Sequence, residues 1–242
     1  GTGRFPDPNS IFELILSNIK ENQILSNQFK DISILITAGP TIEAIDPIRF
    51  VSNNSSGKQG FEIASELTKR GAKVTLISGP VSIPFPNCEN IIQVKTAQEM
   101  LDSVSQQLPA DILICSAAVA DWKLIPKTKS NNKIKTNTKI KKTNEKLLFE
   151  TQKNPDILET ISKSNLRPKI VIGFSAETDN LKKNAYSKLI SKNVDLIVAN
   201  DVSNGKVFGA DYNKVCIIEK NNFEQWETQS KKSVAFNLVN KI

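Results

Sequence analysis

Short runs of apolar, β-branched residues recur along the chain, and several of the stretches between them carry apolar positions at helical spacing. Residues 34–37 read as a first strand that breaks at Ala38-Gly39-Pro40-Thr41. Residues 60–71 follow as a helix with Ile63, Ala64 and Leu67 on its inner face. The run 73–78 (KVTLIS) is a second strand closed by Gly79-Pro80, and 91–94 is a third. Thr96 then caps a helix bearing Met100, Leu101 and Val104, and 111–119 (DILICSAAV) is a fourth strand. Strands that are apolar throughout, rather than alternating, belong to parallel sheets covered on both faces.

The rhythm changes after residue 119. Residues 127–144 are rich in Asn, Lys and Thr without a periodic apolar face, which predicts a long loop or hairpin. A short strand at 147–150 follows, and Asn154-Pro155-Asp156 opens a helix carrying Ile157, Leu158 and Ile161. Residues 169–174 and 196–199 read as buried strands on either side of a helix at 185–192. Residues 215–219 and 224–228 alternate like a hairpin turning at Asn221-Asn222, and 233–242 reads as a closing helix. Upstream, residues 1–29 look like a lead-in, with Ser10 capping an amphipathic helix from 11 to about 24. The chain is therefore expected to be α/β: a Rossmann-like three-layer sandwich with a mostly parallel sheet, a lysine-rich flap at about 123–146 and a C-terminal hairpin.

Composition narrows the chemistry. The chain contains no His. That excludes a Ser-His-Asp triad, a His base and a His-ligated metal, so catalysis falls to Lys, Asp/Glu, Asn or a nucleotide-bound metal ion. Cys88, Cys115 and Cys216 are far apart, odd in number and without zinc spacing, which suits a reducing, cytoplasmic compartment. No apolar run nears the roughly 20 residues of a membrane span, and no signal peptide is visible. The formal charge of +7 points to an anionic partner. Residues 123–146 alone hold nine lysines and one glutamate, however, so the rest of the chain sums to −1. With only four arginines, and no aromatic residue in that segment to stack on bases, a polyphosphate fits better than nucleic acid. The absence of an initiating Met predicts a fragment of something longer.

A strand, a glycine-bearing loop and a helix start succeed one another in ILITAGPTIEAIDPIRFVSNNSSGKQGFEI, residues 34–63. This is how α/β proteins bring backbone N–H groups to a phosphate. Familiar templates fail here. Gly39, Gly57 and Gly60 do not supply G-x-G-x-x-G; a P-loop would need Gly where Ser52 stands and Ser or Thr in place of Gln59. Tyr186 is followed four residues later by Ile190, not Lys. A nicotinamide-dependent oxidoreductase and a P-loop NTPase are both disfavoured.

Seven ordered segments carry a resemblance: TAGPTIEAIDPIRFVSNNSSGKQGFEIA, SGPVSIP, SAAVADW, KIKK, NPDIL, GFSAET and ANDVS. With them the chain, from residue 32 to its end, resembles phosphopantothenoylcysteine synthetase (CoaB), the C-terminal half of the bacterial bifunctional coenzyme A biosynthesis protein CoaBC. On that basis residues 30–242 are the ligase domain, and GTGRFPDP, within the linker 1–29, looks like the end of an upstream decarboxylase half. The departure is an Asn/Lys-rich expansion between SAAVADW and KIKK. The resemblance implies CTP-dependent joining of 4′-phosphopantothenate to L-cysteine through an acyl-cytidylate, with Mg²⁺ accompanying CTP and a homodimeric assembly.

It also implies roles for particular residues. The backbone of Cys115, Ser116 and Ala117 reads the cytosine edge and Asp121 contacts the nucleoside; a strand end packed with small residues is the plainer alternative. Lys139, first of KIKK, closes on the phosphates, although Lys133-Ile134-Lys135 offers a rival register. Pro155, Asp156, Ile157 and Leu158 form a helix start that meets phosphate or ribose, or simply caps. Phe174 packs beside the base, or only in the core. Lys188 and Lys192, four apart on one helix face, contact phosphate, or form a solvated face. Asn53 holds the acyl-cytidylate as an oxyanion and phosphate donor, and Arg49 and Lys58 meet phosphopantothenate, from the same or a partner subunit. Asn200-Asp201 is assigned to structure or the dimer interface, and Cys115 to packing rather than nucleophilic attack. Two other classes stay open: a non-catalytic Rossmann-like regulatory subunit, and a basic nucleic-acid-binding module.

Overall fold

The computed structural model describes residues 7, 8, 10–13, 16, 26–128, 132, 134, 137–142, 146–202 and 209–242. Most of the expected helix at 11–24, and the rival flap residues Lys133 and Lys135, lie outside them. In chain order the first elements are β1 (Ser33–Ala38), β2 (Ile42–Ala44), β3 (Phe50–Ser52), α1 (Lys58–Lys69), β4 (Lys73–Ser78), β5 (Asn90–Gln93) and α2 (Ala97–Gln106). Next come β6 (Ile112–Cys115), β7 (Trp122–Lys127), β8 (Leu148–Lys153), α3 (Ile157–Ser162), β9 (Ile170–Glu177), α4 (Leu181–Ser191) and β10 (Leu196–Asp201). The chain closes with β11 (Tyr212–Asn213), β12 (Val215–Glu219), β13 (Asn222–Gln225), β14 (Gln229–Ser230) and α5 (Lys231–Lys241).

Eight strands form the main sheet in the order β13-β12-β10-β9-β6-β1-β4-β5. The six from β10 to β5 are parallel; β12 adds antiparallel to β10, and β13 antiparallel to β12. The expected Rossmann-like α/β sandwich is thus the fold observed. Numbered along the chain, the parallel strands lie in the doubly wound order 3-2-1-4-5-6, whose direction of progress reverses between β1 and β6. Strands β1, β4, β6 and β10 are buried almost end to end because both faces are covered. On one face Ile34, Ile36, Val74 and Ile114 pack against Ile63 and Leu67 of α1 and Val234 and Leu238 of α5. On the other, Leu35, Ile77, Leu113 and Val171 pack against Met100 of α2, Ile161 of α3 and Leu189 of α4. Each such aliphatic side chain contributes about 1.5–3 kcal/mol by leaving water.

Asp111 ties three parallel strands together at the end opposite their carboxyl termini. Its Oδ2 accepts from Ser33 N at 3.0 Å and Ser33 Oγ at 2.8 Å, and its Oδ1 meets Lys169 Nζ at 2.9 Å. The Lys169 ammonium, then the two Ser33 donors, hold the Asp111 carboxyl far below the usual carboxylate range.

Several boundaries differ from the sequence-based expectation. The fourth strand ends at Cys115, because the small residues after it turn across the strand ends. Phe29, placed with the lead-in, is buried in the core, and its N–H donates to Arg70 O at 2.9 Å. Ser10 is not a cap: it lies inside a helical turn, and Asp7 Oδ2 accepts from Ser10 N at 3.1 Å. Ser230 rather than Ser233 starts the last helix, its Oγ accepting from Ser233 N at 3.0 Å. The C-terminal hairpin turns at Lys220-Asn221. Two hairpins were not expected in full. β2 and β3 are three residues each, too short for a periodic signal. Residues 123–127, counted with the flap, form most of β7, which pairs antiparallel with β8 and lies beside β2.

Because the folded-state pKa of Asp111 is depressed, its stabilising effect is present above the unfolded value near about 3.9 and fades as pH falls below it. The melting temperature of the wild type should therefore drop more steeply between about pH 5 and pH 2 than that of Asp111→Asn, the two curves converging in acid. Parallel curves in a thermal titration would show that Asp111 has no such role.

Candidate functional site

The reversal between β1 and β6 opens a cleft of about 870 Å³ over the carboxyl ends of β1, β6 and β9. Open α/β sheets bind ligands at this switch point because crossovers leave it to opposite faces. One lobe lies over the face covered by α1 and α5 and is lined by Lys58, Gln59, Asn213 and Lys231. The other lies over the face covered by α3 and α4 and is lined by Asp156, Leu158, Lys188 and Lys192. Residues 116–121 cross the strand ends between them.

The start of α1 comes unusually close to the sheet. A Cβ at Gly60 would stand 2.4 Å from Ser116 Oγ and 2.6 Å from the Ala38 Cβ, so no other residue fits without displacing the helix. Gly57, with φ 77°, makes the turn into that helix without a side-chain cap. The loop ahead of it is fixed by Asn53, whose Nδ2 donates to Ala118 O at 3.0 Å. An amide NH₂ carries two hydrogens, so Asn53 retains a donor and its Oδ1 beside the cleft.

Across the cleft, Asn154 fixes the start of α3 to the same crossing segment: its N–H donates to Asp121 O at 2.9 Å and its Nδ2 to Ala120 O at 2.8 Å. Asp156 caps the helix, Oδ1 accepting from Glu159 N at 2.9 Å, and its Oδ2 meets Lys192 Nζ at 2.5 Å. Lys188 Nζ meets the largely buried Glu177 carboxylate at 2.8 Å. In the opposite lobe Lys58 Nζ reaches Asp211 Oδ1 at 2.7 Å and Gly209 O at 3.3 Å. The Lys58 ammonium holds the Asp211 carboxyl below its usual range. Lys58, Lys188 and Lys192 thus each meet a carboxylate at the cleft or beside it.

The structure brings Asn53, Lys58, Cys115, Ser116, Ala117, Asp121, Pro155, Asp156, Ile157, Leu158, Phe174, Lys188 and Lys192 to this cleft. Two predicted residues stand outside its lining. Arg49 turns toward Asp46, Nη1 to Oδ2 at 2.5 Å, and donates to Ile140 O at 3.3 Å. Lys139 is exposed, and its neighbour Ile140 donates its N–H to Asp46 Oδ2 at 3.2 Å. Residue 140 of the flap is therefore held against the β2–β3 turn, and neither Lys139 nor Ile140 lines the cleft. Burial works against the Asp46 anion, but the N–H groups of Ile48, Arg49 and Ile140, and then the Arg49 charge, outweigh it and lower its pKa.

The hydrogen bonds of the crossing segment restrict how it can read a ligand. Ser116 N donates to Thr37 O at 3.1 Å and Ala117 N to Thr37 Oγ1 at 3.4 Å, and Ala118 N donates to Gly39 O at 2.9 Å. Those N–H groups are engaged, so contacts to a base from this stretch fall to carbonyl oxygens and side chains. Glu177, Ser175, Asn213 and Lys231 were not singled out in the sequence. Glu177 lies within GFSAET, but nothing in the run Ser230-Lys231-Lys232 marks Lys231, except that a helix starting after Ser230 puts it in the first turn.

Burial pushes the Cys115 thiol up to about 12. At pH 8 only about one molecule in 10⁴ would carry the thiolate that reacts. Iodoacetamide followed by peptide mass spectrometry should leave Cys115 unlabelled in the folded protein and label it after denaturation. Rapid labelling in the native state would contradict the assignment to packing.

A family model described as DNA/pantothenate metabolism flavoprotein C-terminal domain matches residues 29–242. The chain is 41% identical over 243 residues to the coenzyme A biosynthesis bifunctional protein CoaBC of Haemophilus influenzae, covering 100% of this chain and 58% of that protein. The CoaBC of Borreliella burgdorferi is 43% identical over 235 residues, covering 96% of this chain and 57% of that protein. The chain therefore spans a little under three fifths of the length of these curated relatives. A crystal structure of the C-terminal domain of a CoaBC superimposes with a TM-score of 0.72 at 35% identity, covering 89% of this chain and 95% of that one. The chain belongs to the DNA/pantothenate metabolism flavoprotein C-terminal domain family.

Proposed function

We propose that the chain is a ligase domain joining 4′-phosphopantothenate to L-cysteine at the expense of CTP, releasing CMP and pyrophosphate. The observation that carries this reading is a single cleft with cations in two lobes, on opposite faces of the sheet, and Asn53 on the loop between. A reaction that joins a phosphorylated acid to a nucleotide needs such a site, because two polyanions must meet without sharing one pocket. The naming of the CoaBC relatives as coenzyme A biosynthesis proteins supports the substrate class.

In the first step the pantothenate carboxylate attacks the α-phosphorus of CTP: an O–P bond forms and the bond to the β-phosphate oxygen breaks, giving an acyl-cytidylate and pyrophosphate. In the second, the cysteine amine attacks the acyl carbon, the C–O bond to CMP breaks, and the amine loses a proton. Lys192 exchanges its carboxylate for a nucleotide phosphate, Lys188 meets phosphate while keeping Glu177, and the second amide hydrogen of Asn53 is a donor for the acyl oxygen. Asp121 faces the nucleoside. Lys139 and Arg49 act from the flap and the β2–β3 turn, which requires residues 139–142 to leave Asp46 or to serve a neighbouring subunit. Among the described residues no three His, Cys, Asp or Glu cluster as a metal cage. The cleft carboxylates Asp121 and Asp156 instead fit Mg²⁺ arriving with the triphosphate, which offsets its charge and keeps several waters.

Exposed Phe50 and Ile48 on the β2–β3 hairpin, and Trp122, Leu148 and Phe149 on its neighbour, support a homodimer through these hairpins. The partial coverage of bifunctional relatives supports a decarboxylase half as the natural neighbour. A cytoplasmic site of action is part of the same reading, and no described helix is long and apolar enough to cross a membrane.

Incubating the protein with 4′-phosphopantothenate, L-cysteine, CTP and Mg²⁺ should yield CMP and pyrophosphate in step; ligand binding without CMP would favour a regulatory subunit instead. Replacing CTP by ATP should lower turnover. Asn53→Asp should let pyrophosphate form while ligated product lags by about 10²-fold, the scale of losing one donor to a developing oxyanion. Normal rates of both steps in that variant would remove Asn53 from the mechanism.

A further inference from the structure

Lys188 and Lys192, at the end of α4, both line the cleft, yet the carboxylates that meet them are placed differently. Lys192 Nζ meets Asp156 Oδ2 at 2.5 Å; both side chains are partly exposed, and Asp156 itself lines the cleft. Lys188 Nζ meets Glu177 Oε1 at 2.8 Å. Lys188 is partly exposed, whereas Glu177 is 8% exposed and lies outside the lining. One carboxylate therefore shares the cleft with any ligand, and the other stands behind its lysine.

Strand β9 accounts for the difference. Successive side chains of a strand point to opposite faces. A Cβ at Gly173 would stand 2.5 Å from Leu158 Cδ2, so position 173 faces α3, and residues 175 and 177 share that face. Glu177 is the last residue of β9, and its backbone is held against β10. There it is in register with Asp201, and its carbonyl accepts from Val202 N at 3.0 Å. A carboxylate so placed has little freedom to follow a ligand, and being buried it needs its cation. The Lys188 ammonium has three donors, of which Glu177 takes one. The lysine stem is flexible, so the direction of the other two donors is set by where Glu177 holds the group.

We infer that Glu177 is a positioning residue: from behind the cleft wall it aims the two remaining Lys188 donors at the nucleotide phosphates. The identity of those phosphates rests on the ligase reading; the pairing does not. Lys188 and Glu177 together are neutral, so Lys188 supplies direction, while Lys192, once released by Asp156, supplies charge. Glu177 therefore matters to turnover rather than to affinity. Removing its charge makes the cleft more positive, which favours a polyphosphate, but leaves Lys188 loose at the reacting centre.

Steady-state rates with CTP, 4′-phosphopantothenate and L-cysteine test this in Glu177→Gln, Lys188→Met, Lys192→Met and the two double variants that contain Glu177→Gln. Glu177→Gln should lower kcat by about tenfold or more without raising the KM for CTP, and Glu177→Asp should recover part of the loss. Glu177→Gln should add nothing to the defect of Lys188→Met, through which it acts, yet should multiply with that of Lys192→Met. An unchanged kcat in Glu177→Gln overturns the positioning role. A KM for CTP that rises severalfold, or a double variant slower than Lys188→Met, does the same. If the wild type forms no CMP, the ligase reading falls, and the NMR signal of the Lys188 ammonium during a CTP titration decides instead. A shift in the wild type that is lost in Glu177→Gln upholds the role; equal shifts, or none in the wild type, overturn it. If Glu177→Gln does not fold, the comparison passes to Glu177→Asp and to Glu177→Gln combined with Lys188→Met, which buries no unpaired charge. Full activity in the first, or a loss in the second beyond that of Lys188→Met, overturns the role.

Discussion

The fold turns on the position of β1. It lies between β4 and β6, so the chain must build the sheet outward in one direction and then return to build it in the other. Right-handed crossovers in opposite directions put helices on opposite faces. Here α1 and α5 cover one face while α2, α3 and α4 cover the other. The gap between crossovers is unavoidable, and everything chemical gathers over it. The Asp111 bonds to Ser33 and Lys169 hold β1, β6 and β9 at their far ends, so the near ends form a fixed rim.

On that rim the charges are held in readiness rather than neutralised. Lys192–Asp156 and Lys58–Asp211 are partly exposed pairs, of a kind that adds little to stability. Exchange of such a partner for a phosphate oxygen therefore meets little resistance. Glu177 differs, being 8% exposed. Removing Lys188 would leave it buried and uncompensated, which is far less tolerable. The three lysines are thus alike in chemistry but unequal in how freely they can move.

Long, periodic features were legible in the sequence and short or through-space ones were not. The apolar runs of β1, β4, β6 and β10 gave the parallel sheet directly, since burial on both faces leaves no alternation to misread. The motifs after β6 and before α3 gave both sides of the cleft, because Asn154 binds Asp121 and Ala120 within one local unit. What escaped was set by tertiary contact. Phe29 joins the core through Arg70, forty-one residues away in the chain; the three-residue strands of β2 and β3 exist by pairing alone. Lys231 comes to the site only because α5 packs beside α1. Lys139 was placed by motif alone, and motif spacing does not say where a flap is fastened.

That fastening has a consequence for the chain around it. Asp46 and Arg49 grip residue 140 through its N–H and its carbonyl, never through its side chain. Any residue but proline offers the same two groups. The grip is therefore indifferent to composition. It is nearly indifferent to length as well, since doubling a connecting loop raises its closure entropy by only about 0.6 kcal/mol. An Asn/Lys-rich insertion can accumulate upstream of such an attachment without shifting the point at which the chain is caught.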